Sequence, residues 1–271
     1  MKKRIFTKIF NDKNLPFVEL RYSNNTKHYK NHIHNTFSIG MNLKGKTIYS
    51  NKTKKYEFDV GMLAIVNPKE VHSCNPVTKE PNLYYMLYLD PNWCYGIQKS
   101  IFKDLEGFKP FEEDVLYDEE IYTDFKNLCN LLFSEISYKE KEQKLIQFFT
   151  KLFKLYMKES EQKKENKDFE KIADYLEQNS TENISLEELS KEFNLNPFYI
   201  IRIFKAQKNI TPHAYLLNMK INRAKKLLKE QKSITFTALE CGFSDQSHFH
   251  RNFCKYVAAT PKEYKLNFVQ D

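Results

Sequence analysis

Shifting the chain against itself by 49 residues lays residues 196–216 on residues 245–265. Arg202 then meets Arg251, Phe204 meets Phe253, Thr211 meets Thr260, Pro212 meets Pro261 and Tyr215 meets Tyr264. One supersecondary unit is therefore built twice. Two copies are too few for a solenoid, whose stacked units need about three or more to bury a continuous core. The repeat must be a pair of like units inside one domain.

Helix punctuation defines the unit. Ser185 with Glu188 makes a capping box. Asn196-Pro197, Thr211-Pro212 and Thr260-Pro261 each put a capping side chain before a proline at the first helical position, and Ser233 and Ser244 are further cap candidates. The spacing predicts helices near 168–178, 185–193, 196–208, 211–230, 234–241, 245–257 and 261–268. Each copy is then a short helix, a tight turn and a second helix: 185–193 with 196–208, and 234–241 with 245–257. A helix–turn–helix followed by a capped helix is the pattern of DNA readers. The connecting helix, 211–230, would be about 30 Å long at 1.5 Å per residue, close to the ~34 Å turn of B-DNA. A rod of that length can hold two recognition helices in successive major grooves.

The second helix of each copy divides into two faces. In 196–208, Ile200, Ile203 and Phe204 form the core stripe and leave Phe198, Tyr199, Ile201, Arg202 and Lys205 outside. In 245–257 the stripe is Phe249, Phe253 and Val257, leaving Gln246, Ser247, His248, His250, Arg251 and Lys255. A single exposed arginine is ordinarily a solvated surface charge. Here only five of the 43 basic residues are arginine, yet one occupies the same place in both copies. Its planar fork suits bidentate bonding to guanine or phosphate, and glutamine can pair likewise with adenine. The chain carries a net charge of +8, while 196–265 alone holds 13 basic and 4 acidic residues. The rest is nearly neutral, so the charge is concentrated where a nucleic acid would bind.

The N-terminal half reads differently. Between 16 and 93, runs rich in Tyr, Phe, Ile and Val (TFSIGMNL, KTIYS, KKYEF, GMLAIVNP, NLYYMLYL) alternate with Asn, Gly, Pro and Lys clusters, the pattern of a small antiparallel sandwich or barrel. Helical periodicity takes over in 97–160. Ile121, Phe125, Leu128, Leu132 and Ile136 mark one amphipathic stretch; Leu145, Phe148, Phe149, Leu152, Leu155 and Tyr156 mark another. These helices either pack on the sheet or carry a dimer interface. Residues 158–168, KESEQKKENKD, contain no apolar side chain and make the best domain boundary. The expected fold class is α+β multidomain: a β-barrel over 1–96, a helical coupling and dimerisation segment over 97–160, a linker over 161–167, and an all-α twin helix–turn–helix domain over 168–271.

Several function classes are disfavoured. No run approaches 18 apolar residues, and MKKRIFTKIF lacks the continuous apolar stretch of a signal peptide. The five cysteines have no C-x-x-C spacing, which fits reduced thiols in a cytoplasm. No dinucleotide fingerprint, Walker A loop or nucleophile elbow is present. No cofactor and no membrane partner is expected.

The run NPFYIIRIFKAQKNITPHAYLLNMKINRAKKLL, followed by ITFTALECGFSDQSHFHRNFCKYVAATPKEYK, closely resembles the AraC/XylS family of bacterial transcription regulators. The resemblance covers about 100 residues. It implies that two helix–turn–helix units read adjacent major grooves of double-stranded DNA. By position it implies Phe198, Tyr199, Ile201 and Arg202 at the DNA face of the first, and Gln246, Ser247, His248 and Arg251 at that of the second. Three positions depart from the family. Asn209 and Ala258 stand where glycine is usual, and Ala258 in a left-handed cap would be strained. Cys254 replaces a usual lysine.

In the first half, His32-x-His34 and, after Gly61, Pro68-Lys69-Glu70-x-His72 resemble the two cupin motifs. The glutamate slot falls near Ser38, which leaves a metal ligand set incomplete, so no metal is expected. His32, His34 and His72 instead line the mouth of an effector pocket, bond to the barrel, or lie on the surface. Tyr84, Tyr85, Tyr88 and Trp93 are either stacking walls for a sugar or core aromatics. The expected function is a one-component regulator, an activator that meets RNA polymerase, working as a homodimer whose N-terminal domain senses a small molecule such as a sugar. The competing reading is a metal-dependent cupin enzyme with a helical accessory domain.

Overall fold

A computed structural model of the protein describes residues 5–102, 105–157, 166–257 and 259–266. Most of the expected linker and Ala258 therefore lie outside the described residues. The strands are β1 (Phe6–Phe10), β2 (Val18–Asn25), β3 (Phe37–Lys44), β4 (Thr47–Asn51), β5 (Lys54–Phe58), β6 (Leu63–Val66), β7 (His72–Pro76), β8 (Asn82–Leu89) and β9 (Val115–Leu116). Helices α1 (Pro91–Ile101), α2 (Glu119–Leu132) and α3 (Tyr138–Tyr156) complete the first half. In the second half come α4 (Lys167–Gln178), α5 (Leu186–Phe193), α6 (Pro197–Lys208), α7 (Pro212–Lys229), α8 (Ile234–Glu240), α9 (Gln246–Val257) and α10 (Pro261–Leu266). Packing divides the chain into two units. One comprises Met1–His28, Asn35–Lys69 and Cys74–Ser160; the other comprises Tyr29–His34, Glu70–Ser73 and Glu161–Asp271.

Two antiparallel sheets form, a six-stranded one in the order β1-β2-β8-β3-β6-β9 and a three-stranded one in the order β5-β4-β7. All five quoted runs become strands: β3, β4, β5, β6 and β8. The central strand β3 is buried on both faces, and period-2 alternation sorts its side chains. Phe37, Ile39 and Met41 join an apolar cluster with Leu20, Leu87, Phe125, Leu145, Phe149 and Leu152. The helices α2 and α3 thus pack on the six-stranded sheet and share its core. Tyr49 of the three-stranded sheet clusters with Ala64 and Val66 of the other, and its hydroxyl donates to the Ile65 carbonyl at 2.6 Å. Asn42 Nδ2 donates to the Phe58 carbonyl at 3.2 Å and to Thr47 Oγ1 at 3.3 Å, which ties the sheets together at a buried position.

Helix boundaries follow the caps. Ser137 and Glu140 close a capping box at the start of α3 that the pattern alone did not announce. This break ends the first amphipathic run at Leu132 and leaves Ile136 in the connection. Leu155 is exposed rather than in the stripe. The helix α1 spans the expected boundary at residue 96. Its cap is Asp90, which accepts from Asn92 N, and its missed start carries Pro91 at the first position.

The second unit holds the seven expected helices within two residues of their predicted ends, except that the expected end of the last, at 268, lies outside the described residues. Thr211 caps α7, and Thr260 with Glu263 caps α10 by reciprocal bonds of 3.1 and 2.7 Å. Ser233 caps α8. For α9 the expected cap, Ser244, is corrected to Asp245: its Oδ1 accepts from His248 N at 2.6 Å. That bond holds the Asp245 carboxyl below its ordinary range.

The helical unit has two apolar cores. Phe169, Ile172, Leu176, Ile200, Ile203, Phe204, Tyr215 and Met219 form the first, and Ile221, Ala224, Leu228, Phe249, Phe253 and Tyr264 the second. Ile33 and Val71 belong to the first core. They arrive on two short segments joined by a His32–His72 bridge, with both backbone bonds at 3.0 Å. The histidine loops read from sequence as barrel elements are thus part of the helical unit.

Candidate nucleic-acid interface

The first helix–turn–helix is α5 and α6. The turn between them works because Asn194 takes a left-handed backbone, φ 51°, and Leu195 N then donates to the Ser190 carbonyl at 3.1 Å. Asparagine accepts that conformation more readily than other residues with a Cβ. Asn196 caps α6 through a 2.8 Å bond from Phe198 N. The second unit is α8 and α9. Gly242 is left-handed at φ 67°, and Phe243 N donates to the Ala238 carbonyl at 3.0 Å. Two residues separate Gly242 from the cap Asp245, against one between Asn194 and the cap Asn196, so the second turn is one residue longer. Asn209, where the family favours glycine, ends α6 at φ 52° with a bond to the Lys205 carbonyl.

The two-faced reading of α6 and α9 matches their burial. Ile200, Ile203 and Phe204 are buried, as are Phe249, Phe253 and Val257. On α6, Phe198 is 81% exposed, Arg202 and Lys205 are exposed, and Ile201 is half-buried. Tyr199 is partly buried: its hydroxyl donates to Asp168 Oδ2 at 2.9 Å, and the Arg202 guanidinium lies 5.3 Å from its ring centre. On α9, Gln246, Ser247, His250, Arg251 and Lys255 are exposed. Gln246 Oε1 accepts from Thr235 Oγ1 at 3.2 Å. His248 is half-buried against the Phe243 ring, with Nδ1 3.3 Å from Ser244 Oγ. Cys254 sits one turn after His250, with Sγ 3.8 Å from its Nδ1. Each helix thus presents one exposed arginine at the repeat position, with an exposed lysine three or four residues on.

The other candidate residues separate. His32, His34 and His72 cluster in the helical unit, with ring centres 4.3 Å apart for His32 and His72 and 4.6 Å for His34 and His72. The His72 ring nitrogen Nδ1 donates to the Glu70 carbonyl at 3.1 Å, and burial pushes its pKa down to about 4. Among the described residues no group of three His, Cys, Asp or Glu is arranged to hold a metal ion.

In the first unit, polar side chains gather on the other face of the six-stranded sheet. The register sets Glu19, Tyr88 and Ser38 in one row, Arg21, Met86 and Gly40 in the next, and Ser23, Tyr84 and Asn42 in a third. Glu19, Arg21, Ser23, Ser38 and Asn42 are all buried. Arg21 Nη2 bonds Glu19 Oε1 at 2.8 Å, and its guanidinium stands 4.9 Å from the Tyr88 ring centre. Burial raises the Tyr88 pKa to about 12. Of the four aromatics nominated from sequence, Tyr84 and Tyr88 lie on this face. Tyr85 faces the apolar core, its hydroxyl 2.8 Å from Asn130 Oδ1, and Trp93 stacks on Phe17 at 4.5 Å. Polar residues that alternate with apolar ones along a strand ordinarily face solvent, so the alternation in β2 and β3 does not by itself announce a buried polar face. The sequence signal was there in the E-x-R-x-S-x-N spacing of residues 19–25.

Residues 16–149 match the AraC-like ligand binding domain family, and residues 189–267 match a helix-turn-helix domain family. The chain is similar to the uncharacterized HTH-type transcriptional regulator YbfI of Bacillus subtilis, 27% identical over 243 residues that cover 88% of this chain and 87% of that protein. It is 31% identical over 116 residues to the HTH-type transcriptional activator RhaR of Mannheimia succiniciproducens, covering 40% of this chain and 42% of that protein. In fold it resembles ToxT of Vibrio cholerae, with a TM-score of 0.59, 18% identity and all of both chains covered. Among the described residues no helix is long and apolar enough to cross a membrane. With a ligand-binding sandwich followed by twin helix–turn–helix units, the chain belongs to the AraC family of transcription regulators.

Proposed function

We propose that α6 and α9 are the recognition helices and that they read adjacent major grooves through Arg202 and Arg251. The exposed arginine at the same repeat position of both helices carries this reading. Phe198, Ile201 and Lys205 flank the first, and Gln246, Ser247, His250 and Lys255 flank the second. Tyr199 and His248 act mainly by holding Arg202 and the helix start in place, since each is committed to a neighbour in the fold. At 18 residues α7 is about 27 Å long, which suits units set on one face of DNA.

The effector site is the buried polar face of the six-stranded sheet. A carboxylate, a guanidinium and hydroxyls on one face favour a small, hydroxyl-rich effector such as a sugar over an apolar one. A structure of ToxT is described as bound to unsaturated fatty acid; the Glu19–Arg21 pair supports a more polar ligand here. The regulator acts in the cytoplasm as a homodimer and activates transcription with RNA polymerase; that one relative is named a transcriptional activator supports the activating role alone. Footprinting of the full chain on genomic DNA, with and without sugars, tests both halves. Protection over two adjacent turns that changes with one sugar supports the reading. Absence of any protected site overturns it.

A further inference from the structure

Each helix–turn–helix has its own apolar core, and the two cores divide α7 between them: Tyr215, Leu216 and Met219 serve the first, Ile221, Ala224 and Leu228 the second. Both cores are built on the continuous helix α7, and contacts beside it at the junction add to what sets the angle between the units. Lys220 stands between Met219 and Ile221 and is 4% exposed. Its Nζ donates to Asn183 Oδ1 at 2.7 Å, in the loop before α5, and to the Gly242 carbonyl at 2.7 Å, in the turn of the second unit. The ammonium also lies 5.8 Å from the Phe243 ring centre.

Gly242 gives independent evidence that the units touch here. A Cβ on it would stand 1.7 Å from the Thr181 carbonyl oxygen, so backbone meets backbone with no room for a side chain. Beside this contact is a cavity of about 170 Å³ lined by residues of both units, including Ser185, His213, Lys220 and His248. With space on one side, Lys220 makes a polar tie across the gap. The amine is held by two neutral oxygens, and burial lowers its pKa. A buried cation of this kind is a poor source of stability, and its best-attested use is to fix a register.

We propose that Lys220 is a positioning residue that locks the two recognition helices at one separation and so makes the protein selective for the spacing between its two DNA subsites. The proposal rests on the DNA reading above. Full-length protein is first used to select duplexes from a random library, and the selected duplex is then rebuilt with one or two base pairs inserted between the subsites. Wild type should lose tenfold or more in affinity per insertion. Lys220→Met should bind the original duplex more weakly and lose less than threefold on insertion, while Lys220→Arg, which keeps the donors, restores the wild-type pattern. An unchanged insertion penalty in Lys220→Met overturns the proposal, as does an equal loss at all spacings, the mark of mere fold support. Should that variant not fold, Asn183→Ala removes one arm at a surface loop and must relax the spacing in the same direction. A second readout needs no DNA. Spin labels at Lys205→Cys and Lys255→Cys, with Cys74 and Cys254 replaced by serine, should give one narrow distance distribution that broadens in Lys220→Met. A selection that yields no duplex sinks the DNA reading; an unbroadened distribution sinks the lock.

Discussion

The backbone amide of Ile33 donates a 2.8 Å hydrogen bond to Oδ1 of Asn218, 185 residues further along. Ile33 is buried beside Phe204 and Met219 in the first helix–turn–helix core, and Asn218 Nδ2 donates in turn to the Ala214 carbonyl at 2.7 Å. Two segments from the early chain therefore complete a helical domain. Asn218→Ala strands the buried Ile33 amide and should destabilise the helical unit by about 1–3 kcal/mol. Urea unfolding monitored by helix circular dichroism measures it. A change below about 0.5 kcal/mol would mean that the amide finds another partner.

The same segments make the protein acid-sensitive. His72 faces His32 and His34 and bonds the Glu70 carbonyl, and burial lowers its pKa from near 6.5 to about 4. The folded state thus resists a proton that the unfolded chain accepts below pH 6.5. Stability from this group is full above pH 6.5 and falls as the pH drops from 6.5 towards 4, by up to about 2 kcal/mol at pH 5 at 1.36 kcal/mol per unit. Unfolding midpoints at pH 7.5, 6 and 5 should fall in wild type and flatten in His72→Gln. Parallel curves for the two proteins would remove His72 from the account.

In the barrel, Glu19 and Arg21 are 4% and 8% exposed and paired at 2.8 Å. Arg21→Ala leaves a buried carboxylate without its cation and should cost about 3–5 kcal/mol, whereas Glu19→Gln combined with Arg21→Met should cost far less. Thermal melts of both variants check the contrast. The double variant should also lose any stabilisation that a sugar gives the wild type.

Gly242→Ala tests the tight approach between the helix–turn–helix units. A left-handed backbone costs alanine about 1–2 kcal/mol, and contact with the Thr181 carbonyl adds to it. Denaturant melts should show a loss above 2 kcal/mol. A neutral effect would show that the turn rearranges freely.

The second half of the fold was legible because its signals are local. Caps, prolines and the 49-residue repeat fix helix ends without reference to distant residues, as Asn196, Thr211 and Thr260 show. The failures were non-local. The strand β9 is two residues long and exists through pairing with β6; β1 gains its identity from β2. The Ser244 expectation missed because the second turn has an extra residue, which puts Asp245 at the cap. His32, His34 and His72 carry a real cluster, but the motif spacing points to a barrel and gives no hint of Asn218. Lys220 was invisible among many lysines. Gly242, which faces it, is the only glycine after Gly107.

The central claim is that α6 and α9 read DNA through Arg202 and Arg251. Its most direct measurement is a footprint and a binding titration of Arg202→Ala, Arg251→Ala and the double variant on a duplex selected by the wild type. Each single change should cost about 1–3 kcal/mol in binding and relax base preference in its own half of the protected region only. A double variant with the wild-type footprint and affinity would contradict the claim.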